Sequence, residues 1–242
     1  NKIMDAIILA GGDGKRLGLD IPKALVDING KTLIERQIDY LNKQLYDEIS
    51  NLLPLIWVCI RKDDEEIFHG KMGCKGNIII EEEKEKLGTA GAVKNVLRKK
   101  YCSNNFIVFN CDDIVNINLK KMSVNSIAVT HPRLPYGEVT FEEQPYADID
   151  YFYGRTKLKQ KMQILEFIEK PLLKNIWVSC GWYHFNKSIY KFLPDTGDLE
   201  RDVFPKMAKK GLLKAFKYTG RWLTINTQKD LEEVRWRWKA DV

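Results

Sequence analysis

The chain has 242 residues, 44% hydrophobic and 30% charged, with a net charge of +6. This is the composition of a soluble globular protein long enough to bury a substantial core, either one large α/β domain or one domain with a lid. No apolar run approaches the roughly 20 residues of a membrane span, no signal pattern opens the chain and no Lys/Arg block stands alone, so a cytoplasmic protein with no membrane or nucleic-acid partner is expected. Cys59, Cys74, Cys102, Cys111 and Cys180 form no C-x-x-C pair and have no histidine at ligand spacing. They are expected as reduced, mostly buried thiols, and a structural zinc is not.

Ile3 to Leu9, interrupted by Asp5, reads as a buried parallel strand that ends in Gly11, Gly12 and Gly14. Glycines at a strand exit bring backbone N–H groups close to a phosphate, and Lys15, Arg16 and Lys23 add cationic side chains to the same loop. The dinucleotide fingerprint G-x-G-x-x-G fails here because its third glycine falls on Leu17, and a Walker A loop ending at Gly30-Lys31-Thr32 fails because its first glycine falls on Leu25. Next, Thr32 and Glu35 have the spacing of a capping box ahead of a helix with Leu33, Ile34, Ile38 and Leu41 on one face. Strands at Leu55–Ile60 and Asn77–Ile80 flank a short acidic helix, and this alternation predicts a mostly parallel sheet with helices on both faces.

Gly88, Thr89, Ala90 and Gly91 lead into a further helix. Small residues there permit either the close approach of something flat or tight helix-to-sheet packing. The strand Asn105–Cys111 is followed by Asp112 and Asp113. A carboxylate at the carboxyl end of a central strand suits Mg²⁺, and Asp112 is read as its ligand, Asp113 as the partner of a loop amide. Ser126–Thr130 is another strand, and from His131 the chain turns to hairpin strands rich in aromatics and charge, Glu138–Glu143 and Gln163–Ile168 among them. Pro171 biases Lys170 to an extended conformation. An amphipathic helix with Leu199, Val203, Phe204 and Met207 inward, an edge strand at Leu213–Tyr218 and a closing helix from Thr227 to about Lys239 with Leu231 and Val234 inward complete the chain. Trp236 and Trp238 beside Arg235 and Arg237 read either as a partner surface or as terminal packing.

The form L-A-G-G-x-G-x-R-L followed by P-K resembles the signature of the sugar-1-phosphate nucleotidylyltransferases, and six further segments follow in that family's order: L-G-T-A-G-A, the strand-end aspartate, E-K-P, C-G-W-Y, E-R-x-V-F-P and W-x-x-I-N. The resemblance is nearest to mannose-1-phosphate and heptose-1-phosphate guanylyltransferases. It implies a Rossmann-like α/β sheet with a small β-rich sugar-side lid, organised as one domain with a nucleotide-binding half (1–130), a sugar-binding half (131–226) and a C-terminal helix (227–242). It implies transfer of a nucleotidyl group from a nucleoside triphosphate to a sugar-1-phosphate, with release of pyrophosphate and Mg²⁺ as cofactor. GTP and a manno-type sugar phosphate are favoured, and a homodimer is admitted. A cytidylyl- or uridylyltransferase acting on another phosphorylated small molecule, and a non-catalytic nucleotide-sugar sensor, remain as alternatives.

By this resemblance Leu9, Ala10, Gly11, Gly12, Gly14, Lys15, Gly88, Thr89 and Ala90 meet the nucleotide. Gly137, Glu169, Lys170, Ser179, Gly181 and Glu200 meet the sugar phosphate. Arg16, Lys23 and Asp112 are the catalytic set, since a phosphate nucleophile needs position and positive charge rather than a base. Two departures stand out: Cys111 replaces a glycine before Asp112, and Thr224 stands where an aspartate commonly supplies the second metal ligand, a role passed to Asn226.

Overall fold

The computed structural model describes residues 4–12, 14, 18–72, 76–83, 85–99, 101–150 and 155–240, with side chains omitted at 144–150, 155–161 and 239–240. Two compact units divide the chain, one formed by Asn1–Thr130 with Ser179–Val242 and the other by His131–Val178. Among the described residues no helix is long and apolar enough to cross a membrane.

In the first unit the elements run β1 (Asp5–Leu9), β2 (Asp27–Ile28), β3 (Lys31–Thr32), α1 (Leu33–Leu45), β4 (Ile56–Arg61), α2 (Glu65–Met72), β5 (Ile78–Glu83), α3 (Gly88–Arg98), β6 (Asn105–Asn110), β7 (Asp113–Ile114) and β8 (Ser126–Thr130). After β9 (Glu138–Asp150) and β10 (Arg155–Ile168) of the second unit, the chain continues as β11 (Val178–Asn186), α4 (Phe204–Lys209), β12 (Lys214–Lys217), β13 (Leu223–Thr224) and α5 (Gln228–Ala240). A seven-stranded sheet has the order β12-β8-β11-β6-β1-β4-β5. β1 is parallel to both β4 and β6, β4 to β5, and β12 to β8, while β11 runs antiparallel to β6. Residues 179–226, grouped by the sequence with the sugar-side half, thus return to the first unit and supply strands of its sheet.

Side-chain alternation along the strands sorts the core into two layers. Ala6, Ile8, Val58, Ile107 and Phe109 pack with Leu33, Ile34, Ile38 and Leu41 of α1, Phe68 of α2, and Leu231 and Val234 of α5. Ile7, Trp57, Phe106 and Val108 pack with Val93 and Val96 of α3 and Phe204 and Met207 of α4. The result is an α/β sheet covered by helices on both faces, as the alternation of strand and helix patterns predicts. The capping box is present: Thr32 Oγ1 accepts from the Glu35 amide at 3.3 Å, and the Thr32 amide donates to Glu35 Oε2 at 2.8 Å.

Asp5 opens β1. It is buried at the strand's first position, where Oδ1 accepts from the Leu55 amide at 3.1 Å and Oδ2 from the Ser103 amide at 2.6 Å. Cys59, Cys102, Cys111 and Cys180 are buried free thiols, and Cys74 lies outside the described residues.

In the second unit β9 and β10 form one long antiparallel ribbon, with a register shift between Ile164 and Glu166. Both strands are longer than the alternating segments read from the sequence, because residues 144–150 and 155–162 of the polar, charged stretch between them are also drawn into the ladder. Lys170 is not extended: its φ is +47°, in the left-handed region, although Pro171 follows it. The chain reverses there, with Lys170 O accepting from Arg133 Nη1 at 3.3 Å and Pro171 O from the Leu134 amide at 2.9 Å. Those bonds hold a conformation that proline alone disfavours.

Candidate active site

The glycine loop leaves β1 at the carboxyl end of the parallel strands. Its entry is tied to both neighbours, since the Ala10 amide donates to Cys59 O at 2.9 Å and Leu9 O accepts from the Cys111 amide at 3.1 Å. A Cβ at Gly14 would run into the Ile21 and Leu19 carbonyls, so this glycine serves the loop's own fold. Among the described residues, a Cβ at Gly12 would meet nothing within 4 Å and one at Gly11 only Arg61 Cγ at 3.8 Å. Both glycines are exposed. Lys15 and Arg16 lie outside the described residues.

Lys23 closes the loop, its amide donating to Gly12 O at 3.3 Å. Its Nζ pairs with Asp112 Oδ2 at 2.8 Å and donates to Asn226 Oδ1 at 3.3 Å. Three residues singled out from separate stretches of sequence therefore meet at one point. Asn226 Nδ2 donates to Thr224 Oγ1 at 3.1 Å, which turns the amide oxygen toward the ammonium. One carboxylate and one amide oxygen converging on a single cation are hard oxygen donors of the kind Mg²⁺ takes, so the residues present fit that ion.

Asp113 has the opposite environment. Buried, it accepts from Trp222 Nε1 at 2.9 Å and from Asn110 Nδ2 at 3.2 Å, and Thr224 is a third side-chain partner. Burial first, and the Asp112 charge second, push its pKa up to about 6. Its partners are side chains rather than the loop amide expected from sequence. Gly181, with φ +77°, lies against it, and a Cβ there would overlap Asp113 Oδ2. Gly181 is thus required by the carboxylate beneath it.

A second network joins four side chains and one backbone amide. Thr89 Oγ1 accepts from the Leu199 amide at 2.8 Å and donates to Glu200 Oε2 at 3.4 Å, Tyr183 OH donates to Glu200 Oε1 at 2.7 Å, and Ser179 is a further side-chain partner of Tyr183. Thr89, Glu200 and Ser179 are so brought together. The small residues at the start of α3 have a packing reason as well. A Cβ at Gly88 would strike Gly197 O, and Ala90 is fully buried with its amide donating to Gly197 O at 2.9 Å. In the second unit Gly137 faces the Phe167 ring, which a Cβ would overlap, and Glu169 is exposed.

Two residues that the motifs do not flag matter here. Glu83 ends β5 opposite Arg61 of β4, next to the turn into α3. Half-buried, its Oε2 accepts a long 3.5 Å bond from the Leu87 amide, its one hydrogen bond among the described residues, and burial pushes its pKa up to about 7. In the sequence it is hidden as the last of three glutamates, and its position at a strand end is the signal that finds it. Gln37 of α1, buried, donates through Nε2 to both Cys111 O and Asp113 O at 3.0 Å. It reads in sequence as a polar residue on a helix face.

The nucleotidyl transferase family pattern covers residues 5–238. The chain belongs to that family. Among its relatives, mannose-1-phosphate guanylyltransferase 1 of Arabidopsis thaliana is 32% identical over 248 residues, 94% of this chain and 62% of the relative. D-glycero-alpha-D-manno-heptose 1-phosphate guanylyltransferase of Campylobacter jejuni is 31% identical over 190 residues, 77% of this chain and 78% of the relative. The chain thus spans under two thirds of the length of the mannose-1-phosphate enzyme. The crystal structure of HddC from Yersinia pseudotuberculosis matches with a TM-score of 0.67 and 25% identity, over 97% of this chain and 99% of that one.

Gly181→Ala is expected to destabilise this family member by about 2 kcal/mol or more, through left-handed strain and overlap with Asp113. Urea unfolding would detect it as a lowered midpoint, and an unchanged midpoint would show that Asp113 is not pinned beneath Gly181.

Proposed function

We propose that the chain transfers the guanylyl group of GTP to the phosphate of a manno-type sugar-1-phosphate. A phosphate oxygen of the acceptor forms a bond to the α-phosphorus, the bond from that phosphorus to the bridging oxygen breaks, and pyrophosphate leaves. The observation that carries this reading is the meeting of Lys23 Nζ, Asp112 Oδ2 and Asn226 Oδ1 beside a glycine loop with open backbone. The printed names of the guanylyltransferase relatives support it.

In this reading the loop amides at Gly11 and Gly12 and the side chains of Lys15 and Arg16 take the β- and γ-phosphates, and Arg16 stabilises the departing pyrophosphate. Lys23 neutralises the α-phosphate. Lys170 grips the acceptor phosphate, while Glu169, Ser179 and Glu200 address sugar hydroxyls. The acceptor phosphate is already a nucleophile, so no proton need be taken from it. Asp112 and Asn226 would hold Mg²⁺, whose charge would offset the repulsion among phosphate oxygens. The buried thiols agree with a reducing cytoplasmic setting.

Glu83 supports guanine as the base. An ionised carboxylate only accepts hydrogen bonds, and guanine offers two adjacent donors, N1–H and the 2-amino group. Uracil offers one, and adenine and cytosine pair their amine with an acceptor.

A panel crossing four nucleoside triphosphates with mannose-, heptose- and glucose-1-phosphates, read by pyrophosphate release, is expected to favour GTP with a manno-type acceptor. Asp112→Ala and Arg16→Ala should lower turnover about 10²- to 10³-fold. Turnover with CTP or UTP would assign another base, and nucleotide binding without turnover would mark a sensor. Glu83→Gln is expected to lower kcat/KM for GTP about 10- to 100-fold and for ITP, which lacks the 2-amino group, by less. Because Glu83 is ionised only above about 7, the preference for GTP over ITP should grow as pH rises through that value. A preference flat in pH and unmoved by Glu83→Gln would remove Glu83 from base reading.

A further inference from the structure

Away from the glycine loop, α2 and the strand at one edge of the sheet bring another set of donors together. β5 ends the strand order and pairs with β4. Side chains alternate along it. Ile78 and Ile80 face the layer that holds Phe68 and Met72 of α2, and Ile79 faces the other layer. Two positions beyond Ile80, Glu82 falls on the α2 side, whereas Glu81 is turned to α3, where its Oε1 accepts from Asn95 Nδ2 at 2.7 Å. On α2, Glu65 and His69 stand four residues apart and are neighbours on one face of the helix. The three side chains converge: one ligand atom from each of Glu65, His69 and Glu82 lies within 4.8 Å of the other two.

This donor set suits a transition ion. Imidazole nitrogen is a ligand that Zn²⁺ takes readily and that Mg²⁺ and Ca²⁺ do not favour, and two carboxylates balance the charge of a dication. Zinc bonds to nitrogen and to carboxylate oxygen run from about 2.0 to 2.2 Å, so donors of one ion stand no more than about 4.4 Å apart. His69 Nε2 and Glu82 Oε1 are 3.8 Å apart, inside that limit and beyond hydrogen-bond distance. His69 is exposed, and Glu65 and Glu82 are half-buried, so small side-chain rotations can close the set around an ion that enters from solvent. An ion pair between His69 and Glu82 would need a protonated ring and would give Glu65 no part. A metal ion uses the neutral ring and both carboxylates.

We propose that Glu65, His69 and Glu82 form a Zn²⁺ site, a clasp between α2 and the edge strand β5 with a fourth position falling to water. The inference is independent of the reaction proposed at the glycine loop, with which it shares no residue.

Equilibrium dialysis of the full chain against Zn²⁺, with excess Mg²⁺ present to saturate the oxygen donors of Asp112 and Asn226, is expected to give one Zn²⁺ per chain. His69→Ala and Glu82→Gln should each weaken it at least about tenfold, the loss that removing even an outer-shell partner brings. Glu66→Gln, at an exposed position of the same helix and outside the cluster, should keep the zinc. Zinc should raise the thermal midpoint of the parent and not that of His69→Ala, because an ion held by the folded clasp stabilises it. Without zinc, circular dichroism and the midpoint of His69→Ala should match the parent, since His69 is exposed. The site is refuted by a parent that binds no zinc or whose midpoint zinc leaves unmoved, by zinc retained in His69→Ala or Glu82→Gln, or by an equal loss in Glu66→Gln.

Discussion

Two adjacent carboxylates at the tip of a central strand repel each other, and the first unit is arranged to give them different fates. Asp112 stays partly open and is balanced by the Lys23 ammonium at 2.8 Å. Asp113 is buried, with its oxygens committed to Trp222, Asn110 and Thr224, and the fold bears the cost of desolvating it. One carboxylate is thereby left partly open beside a cation, and the other is committed to architecture. Gly181 and Trp222 come from the late part of the chain, so the tip of β6 is completed only when β11 and β13 are in place. Gln37 then fixes the turn from below through two backbone carbonyls.

The sheet, its flanking helices and the strand-end position of the loop were legible in the sequence, because buried parallel strands and amphipathic helices leave strong periodic patterns. Lys23, Asp112 and Asn226, far apart in sequence, were legible through their order in a family signature, and the structure joins them. Thr224 was legible only as a departure. Its hydroxyl accepts from the Asn226 amide and partners Asp113, so a residue that looked like a lost ligand orients its neighbour. Glu83 and Gln37 were not legible, since what distinguishes them is burial and the direction of their bonds, and neither follows from spacing. The Lys170 conformation ran against a local rule because hydrogen bonds from Arg133 and Leu134 outweigh the preference before proline.

The glycines divide by what would oppose a side chain. At Gly14, Gly88 and Gly181 the obstacle is the protein itself: the Ile21 carbonyl, the Gly197 carbonyl and the Asp113 carboxylate. At Gly11 and Gly12 no atom of the described residues lies closer than 3.8 Å to where a Cβ would stand. A motif records both kinds with the same letter, yet only the second kind leaves backbone free to meet a ligand.

The Lys23–Asp112 pair also binds two events into one. While the ammonium covers Asp112 Oδ2, Lys23 has less charge to offer a phosphate and Asp112 has one oxygen fewer to offer a divalent ion. Parting them serves both purposes at once. In the proposed reaction, triphosphate and cation would therefore be thermodynamically linked, each tightening the hold on the other by the same factor, and neither affinity would have a single value until the concentration of its companion is fixed.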